Sequence, residues 1–243
     1  MKNCVLEYEY NDMAAPYSYF KRFEISVEEK DINVQYQLTY TDRADIYKED
    51  LEAEGFTGND DESWQGNVDK AWLTALEEML ATPVQQEEGA ELSMNTINIQ
   101  VDGKPAQFCA SLLQWEYFIH EFTQALYESG GAEAPLTMRL CDTSNGDTIH
   151  SVTVSFAHRT CILKKGIETP VNVDWKQSRR LLEAFYRQEF VDGQWTKKLP
   201  VTSGVYSDPG DGNWYPFNSA TEHLSPKFKD RLKEELKKWF EVK

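Results

Sequence analysis

The chain has 243 residues, 40% hydrophobic, 13% aromatic and 27% charged, with a formal net charge of −16 at pH 7. A chain of this size and make-up buries roughly 70–75% of its unfolded surface, so it needs no disulfide or structural metal and is not of the disordered class. The acidic excess argues against direct nucleic-acid binding, which uses a basic stripe, and it repels anionic membranes.

At the N-terminus, Met1-Lys2-Asn3-Cys4-Val5-Leu6-Glu7 has no apolar secretory core. No later stretch approaches the roughly 20 apolar residues of a spanning helix. The expected location is therefore the cytoplasm. The four cysteines, Cys4, Cys109, Cys141 and Cys161, stand far apart in strand-like segments. They read as small buried hydrophobes in a reducing compartment.

The first third reads as antiparallel sheet. Cys4, Leu6, Tyr8 and Tyr10 alternate with polar residues, as do Phe23, Ile25 and Val27, and then Ile32, Val34, Tyr36, Leu38 and Tyr40. Period-two alternation marks strands with one buried and one wet face. The short Glu29-Lys30-Asp31 connection implies a hairpin. A short helix is expected around 45–54, stopped by Gly55, and then a loop at Asn59-Asp60-Asp61. Val68, Trp72, Leu76, Met79 and Leu80 recur at helical spacing up to Pro83.

The polar stretch 83–91 is the best candidate linker. It makes the chain one α+β domain, 1–243, or two subdomains, 1–82 and 92–243. Beyond it, Ile97, Ile99 and Val101 form a strand that turns at Asp102-Gly103, with 105–109 as the return strand. Ser111 and Gln114 form a capping box. The helix it opens carries Leu112, Trp115, Phe118, Ile119, Phe122 and Leu126 on one stripe and closes at Gly130-Gly131 and Pro135.

Leu136, Met138 and Leu140, a turn at Asn145-Gly146, then Val152, Val154 and Phe156 make a second hairpin, with Cys161-Ile162-Leu163 as a further strand. Asp174 and Gln177 have capping-box form, opening a helix buried through Trp175, Leu182, Phe185 and Tyr186. Residues 191–224 look irregular, and loops of this length are often functional. A last helix is expected after Ser225-Pro226, with Phe228, Leu232, Leu236, Trp239 and Phe240 on its stripe. Hairpins dominate, so the fold class is α+β: antiparallel sheets with amphipathic helices packed on one face.

Charge is segregated. Residues 42–91 hold fifteen acids against three bases, whereas 158–200 hold nine bases against five acids. His120-Glu121-Phe122-Thr123-Gln124 has only one of the two histidines of a zinc-protease helix, so no metal is assigned to it. Glu116 and His120, four apart, read as a solvated surface pair. The segment Asp208–Asn213 lacks the spaced carboxylates of a calcium loop and reads as a tight turn. No Walker loop, nucleophile elbow or dinucleotide fingerprint occurs, and no cofactor is implied.

The chain reads as a bacterial protein, a reading that assigns no functional residue. The leading expectation is a non-catalytic cytosolic module that binds a basic protein partner through an acidic surface, with Asp60, Asp61 and Glu62 as candidates. The alternative is an enzyme or small-molecule binder with a pocket under the aromatic loop 191–224. Its candidate residues are Arg179, Arg180, Trp195, Tyr206, Trp214, Tyr215 and Phe217. Self-association through a polar sheet face carrying Arg22, Gln35 and Gln37 is a third reading.

Overall fold

The computed structural model describes residues 1–28, 32–82, 93–106, 111–146, 148–187, 190, 193–217, 231, 234 and 238–239. It divides into two units, Met1–Glu133 and Ala134–Lys243. Each is built on one six-stranded antiparallel sheet, which makes the fold α+β.

Unit 1 opens with β1 (Asn3–Tyr10), β2 (Tyr19–Val27) and β3 (Ile32–Tyr40), which pair in sequence order. The turn 29–31 between β2 and β3 lies outside the described residues. A short 3-10 turn (Arg43–Asp45) and helix α1 (Lys48–Ala53) follow. Gly55, at φ 83°, stops α1 as its position demands.

Strand β4 (Glu62–Val68) then pairs with β3, where the sequence pattern shows only loop and the start of a helix. Helix α2 (Ala71–Ala81) begins after it. The candidate linker 83–91 lies outside the described residues, but strands from both sides of it share one sheet: β5 (Thr96–Val101) pairs with β1. Strand β6 (Lys104–Pro105) completes the sheet, in the order β4-β3-β2-β1-β5-β6. Helix α3 (Leu112–Ser129) starts at Ser111 with the expected capping box, satisfying two amides that would otherwise be orphaned.

Parity explains the core. Leu6, Phe23, Ile25, Val34 and Ile99 point to one face and are nearly inaccessible. Onto that face α2 presents Trp72 and Leu76, and α3 presents Trp115, Phe118, Ile119, Phe122 and Leu126. Phe122 meets Phe23 at 5.5 Å and Trp72 at 5.1 Å between ring centres. Each of these large side chains contributes about 1.5–3 kcal/mol by leaving water. The opposite face stays polar: Arg22 bridges Glu7 and Glu24, and Gln35 and Gln37 face solvent.

Strand β4 is hard to read because its inward positions are Trp64, Gly66 and Val68. Trp64 lies over Gly66 and against Gly130 at the end of α3. A Cβ on Gly66 would meet the indole at 2.7 Å, and one on Gly130 would meet its Nε1 at 2.5 Å. The glycines give the ring its room, and one large side chain covers two strand positions.

Unit 2 repeats the connection order. Strands β7 (Leu136–Asp142), β8 (Ile149–Ser155), β9 (Thr160–Lys165) and β10 (Val171–Val173) form a meander, and α4 (Trp175–Tyr186) follows. Strands β11 (Val205–Asp208) and β12 (Tyr215–Pro216) are then added beyond β7, giving the order β10-β9-β8-β7-β11-β12. Segment 191–224, expected to be irregular, thus supplies two strands.

Asp174 caps α4 through the amide of Lys176 rather than through a box with Gln177. Its buried stripe is Ser178, Leu181, Ala184 and Phe185, so Tyr186 faces out and Leu182 is only half-buried. The last helix falls largely outside the described residues; of its stripe, Trp239 packs on the unit 2 core. Cys4, Cys141 and Cys161 are buried and Cys109 lies outside the described residues; burial raises Cys4 to about 12 and Cys161 to about 11. Among the described residues no helix is long and apolar enough to cross a membrane.

Gly130 has φ −79°, which alanine also adopts, so Gly130→Ala tests the packing of Trp64 alone. It should destabilise the protein by about 1–3 kcal/mol through overpacking. In denaturant titration Trp64→Phe should recover part of that loss, as a non-additive double-mutant cycle.

Candidate functional site

Two places in unit 1 gather functional chemistry. The first is the acidic segment between β3 and β4. Its foundation is Arg43, whose side chain is only 6% exposed. A buried guanidinium must be paired and hydrogen-bonded. Its Nε donates to the carbonyl of Pro16 at 2.9 Å, and Nη1 donates to the carbonyl of Thr57 at 3.3 Å and to Asp60 Oδ2 at 2.5 Å. Its Cζ lies 3.6 Å from the centre of the Tyr40 ring and 4.4 Å from that of Phe56.

Asp60 also accepts the amide and hydroxyl of Thr57. These bonds, led by those of Thr57 and followed by Arg43, hold its carboxyl below the usual range. Asp61 accepts the Tyr40 amide at 2.9 Å, and Glu62 accepts the Tyr127 hydroxyl at 2.5 Å. The three acidic candidates therefore act first as internal fasteners. The exposed charge lies on the segment they hold: Asp42, Asp45, Glu49, Asp50, Glu52 and Glu54, around a Tyr47 that is 79% exposed. Lys48 is engaged by Glu52 at 3.3 Å. A cleft of about 600 Å³ opens here, with Tyr40, Asp42, Ile46, Leu51 and Asp61 in its walls.

The second place is where the inward face of the sheet runs out past the helices. Register puts Tyr10, Tyr19 and Tyr40 side by side on β1, β2 and β3, as a ladder of half-exposed rings. Tyr10 stacks on Tyr19 at 5.0 Å, and Tyr19 meets Tyr40 edge-on at 6.3 Å. One layer deeper, Lys21 stands between Tyr8 and Leu38. Lys21 is 7% exposed. Its Nζ lies 3.4 Å from Thr123 Oγ1 and 5.1 Å from the centre of the Tyr19 ring.

Among the described residues no carboxylate comes within ion-pairing distance of Lys21. Burial brings its pKa down to about 8, opposed by the more distant charge of Glu62. On α3, Glu116 accepts the Tyr8 hydroxyl at 3.1 Å and the Asn95 amide at 2.6 Å, so it is more than half of a surface pair. His120 is held below its ordinary value by burial and then by the charge of Lys21, with Glu116 acting in the other direction. Burial and then Tyr10 raise Tyr19 to about 12, and burial also raises Tyr8 and Tyr36. Sequence reasoning missed this group. The available signal was parity: Lys21 shares the inward phase of Phe23 and Ile25.

In unit 2 the aromatic loop splits across the sheet. Tyr206 and Trp214 cover its outer face with Cys141, whereas Phe217 joins the inner core with α4. Arg139 forms an ion pair with Asp208, which is 2% exposed, and lies 4.9 Å from the centre of Trp214. Asp208 also accepts the amides of Gly210 and Gly212, and this closes the turn once compared with a calcium loop. Tyr215 donates to Asp211, and Trp195, at the surface, is faced by Lys197. Arg179 is half-buried and Arg180 exposed on α4, on the opposite side of the sheet from Tyr206 and Trp214. Among the described residues no three His, Cys, Asp or Glu side chains group to hold a metal.

Comparison of the chain with protein-family models, curated proteins and solved structures finds no match in any of the three.

Lys21 yields a signed expectation. Between pH 8 and 10.5 the unfolded chain keeps a proton that the folded chain has released, so stability rises with pH across that window. Below pH 8 both states hold the proton, and the full cost of the buried charge is present. Lys21→Met should therefore raise stability at pH 7 by about 1–3 kcal/mol and flatten the rise above pH 8, as read by urea unfolding at several pH values.

Proposed function

We propose that the chain is a non-catalytic, cytoplasmic protein-binding module that docks a basic partner on the acidic segment of unit 1. The supporting observation is the segment 42–54: six exposed carboxylates and an exposed tyrosine in one stretch that also contributes Asp42, Ile46 and Leu51 to a cleft, on a base pinned by Arg43. Exposed acid alone adds solubility, but acid on a rigid, concave support loses little entropy on binding. A lysine or arginine of the partner lays its stem along Ile46 and Leu51 and presents its head to Asp42 and Asp61. Tyr47 supplies contact area with a polar end, the character of an interface anchor. The same field turns away nucleic acid and anionic membrane.

The test is calorimetric titration with a lysine- and arginine-rich peptide. Affinity should fall steeply between about 0.05 and 0.5 M salt, as screening shortens the reach of the carboxylates. Paired reversal at Glu49→Lys and Asp50→Lys should remove most of it, and Tyr47→Ala should weaken it by about tenfold. Binding that ignores salt and survives the reversal would end this reading. Arg43→Met should cost about 3 kcal/mol of stability, because it breaks a buried pair, and should weaken the peptide without touching an exposed charge.

A further inference from the structure

A buried lysine with no carboxylate partner is costly, and unit 1 keeps one where its core meets the outside. Lys21 lies directly beneath the ring ladder Tyr10–Tyr19–Tyr40, whose rings are half-exposed. Its Nζ is touched by a hydroxyl, Thr123 Oγ1, and that hydroxyl is already donating to the carbonyl of Ile119 at 2.8 Å. Among the described residues the amine therefore has an acceptor beside it but no carboxylate in ion-pairing contact, the charge of Glu62 acting from further away. Beside it stand Tyr8 from β1, Tyr19 from β2 and Thr123 from α3, while Glu62 of β4 and His120 of α3 act on it only through their charge.

We propose that this end of unit 1 is a binding site for a small aromatic aldehyde or ketone, held as an imine on Lys21. Tyr10 already stacks on Tyr19 and Arg43 lies over Tyr40, so the half-exposed edges of the ladder supply the aromatic contact for the body of the ligand, and Lys21 supplies the nucleophile. The nitrogen lone pair attacks the carbonyl carbon, and the oxygen takes up a proton while the nitrogen gives one up. The C–O bond then breaks, water leaves, and a C=N bond remains. No oxidant or reductant is consumed. The site is independent of the acidic segment, so either reading can fail without the other.

The test is reductive trapping on the wild-type chain. The protein is incubated near pH 8 with benzaldehyde and cyanoborohydride, and labelled lysines are located by peptide mass mapping. Lys21 should label about tenfold or more faster than exposed Lys48, because burial leaves much of the Lys21 amine neutral at that pH. The preference should vanish in urea, and Lys21→Arg should lose the product while keeping the charge. A Lys21 that stays unlabelled while Lys48 reacts, or that labels no faster in the fold than in urea, overturns the proposal.

Discussion

The acidic face of this protein depends on one buried cation. Arg43 sits where its charge cannot be hydrated, so its donors must be met by protein groups. The groups that meet Nε and Nη1 come from two separate stretches: the carbonyl of Pro16, and the carbonyl of Thr57 with the carboxylate of Asp60. The rings of Tyr40 and Phe56 lie against it as neighbours, 6.1 Å apart between centres. A segment crowded with carboxylates would repel itself into disorder if it were merely tethered. Here the repulsion acts against a fixed frame, and the exposed acids keep defined positions beside a cleft.

Unit 2 uses the same device for a different loop. Arg139 pairs with the buried carboxylate of Asp208 and lies against Trp214, and Asp208 in turn gathers the amides of Gly210 and Gly212. A guanidinium suits both places because it pairs with a carboxylate in its plane and stacks on a ring with its face. The parallel extends to topology. Each unit builds a four-strand meander, crosses by a helix, and adds a hairpin beyond its first strand. In each, an ion pair holds irregular chain beside a sheet that is rigid without it.

Lys21 is the place where the fold gives up stability. Parity assigns its position to the core, and every inward neighbour along β2 from Phe23 to Ile25 obeys that rule. Departures from local consistency of this kind concentrate at sites under a demand other than folding. The surrounding tyrosines, pushed upward by burial, remain neutral donors over the whole physiological range. The amine is then the group of the cluster that titrates nearest neutrality, apart from His120.

The sequence by itself determined the elements whose signal is local. The capping box at Ser111, the stripe of α3 and the alternation of β1 to β3 were all legible, because helical and strand periods are written in neighbouring residues. Strand β4 was not, because its inward positions are filled by Trp64 lying across Gly66 and Gly130, and that contact joins residues far apart in the chain. On α4, Trp175, Leu182 and Phe185 pack on the core as read, but Leu181 is buried in place of Tyr186, since Leu181 and Leu182 are equally apolar and only the sheet beneath chooses between them. The same limit governs function. The acidity of 42–91 could be counted along the chain, but which carboxylates fasten and which face water was decided by partners from elsewhere in the fold: Arg43 for Asp60, the Tyr40 amide for Asp61 and Tyr127 for Glu62. The isolation of Lys21 was decided by β1, β3 and α3 closing around it, because burial is a property of the neighbours that tertiary structure brings.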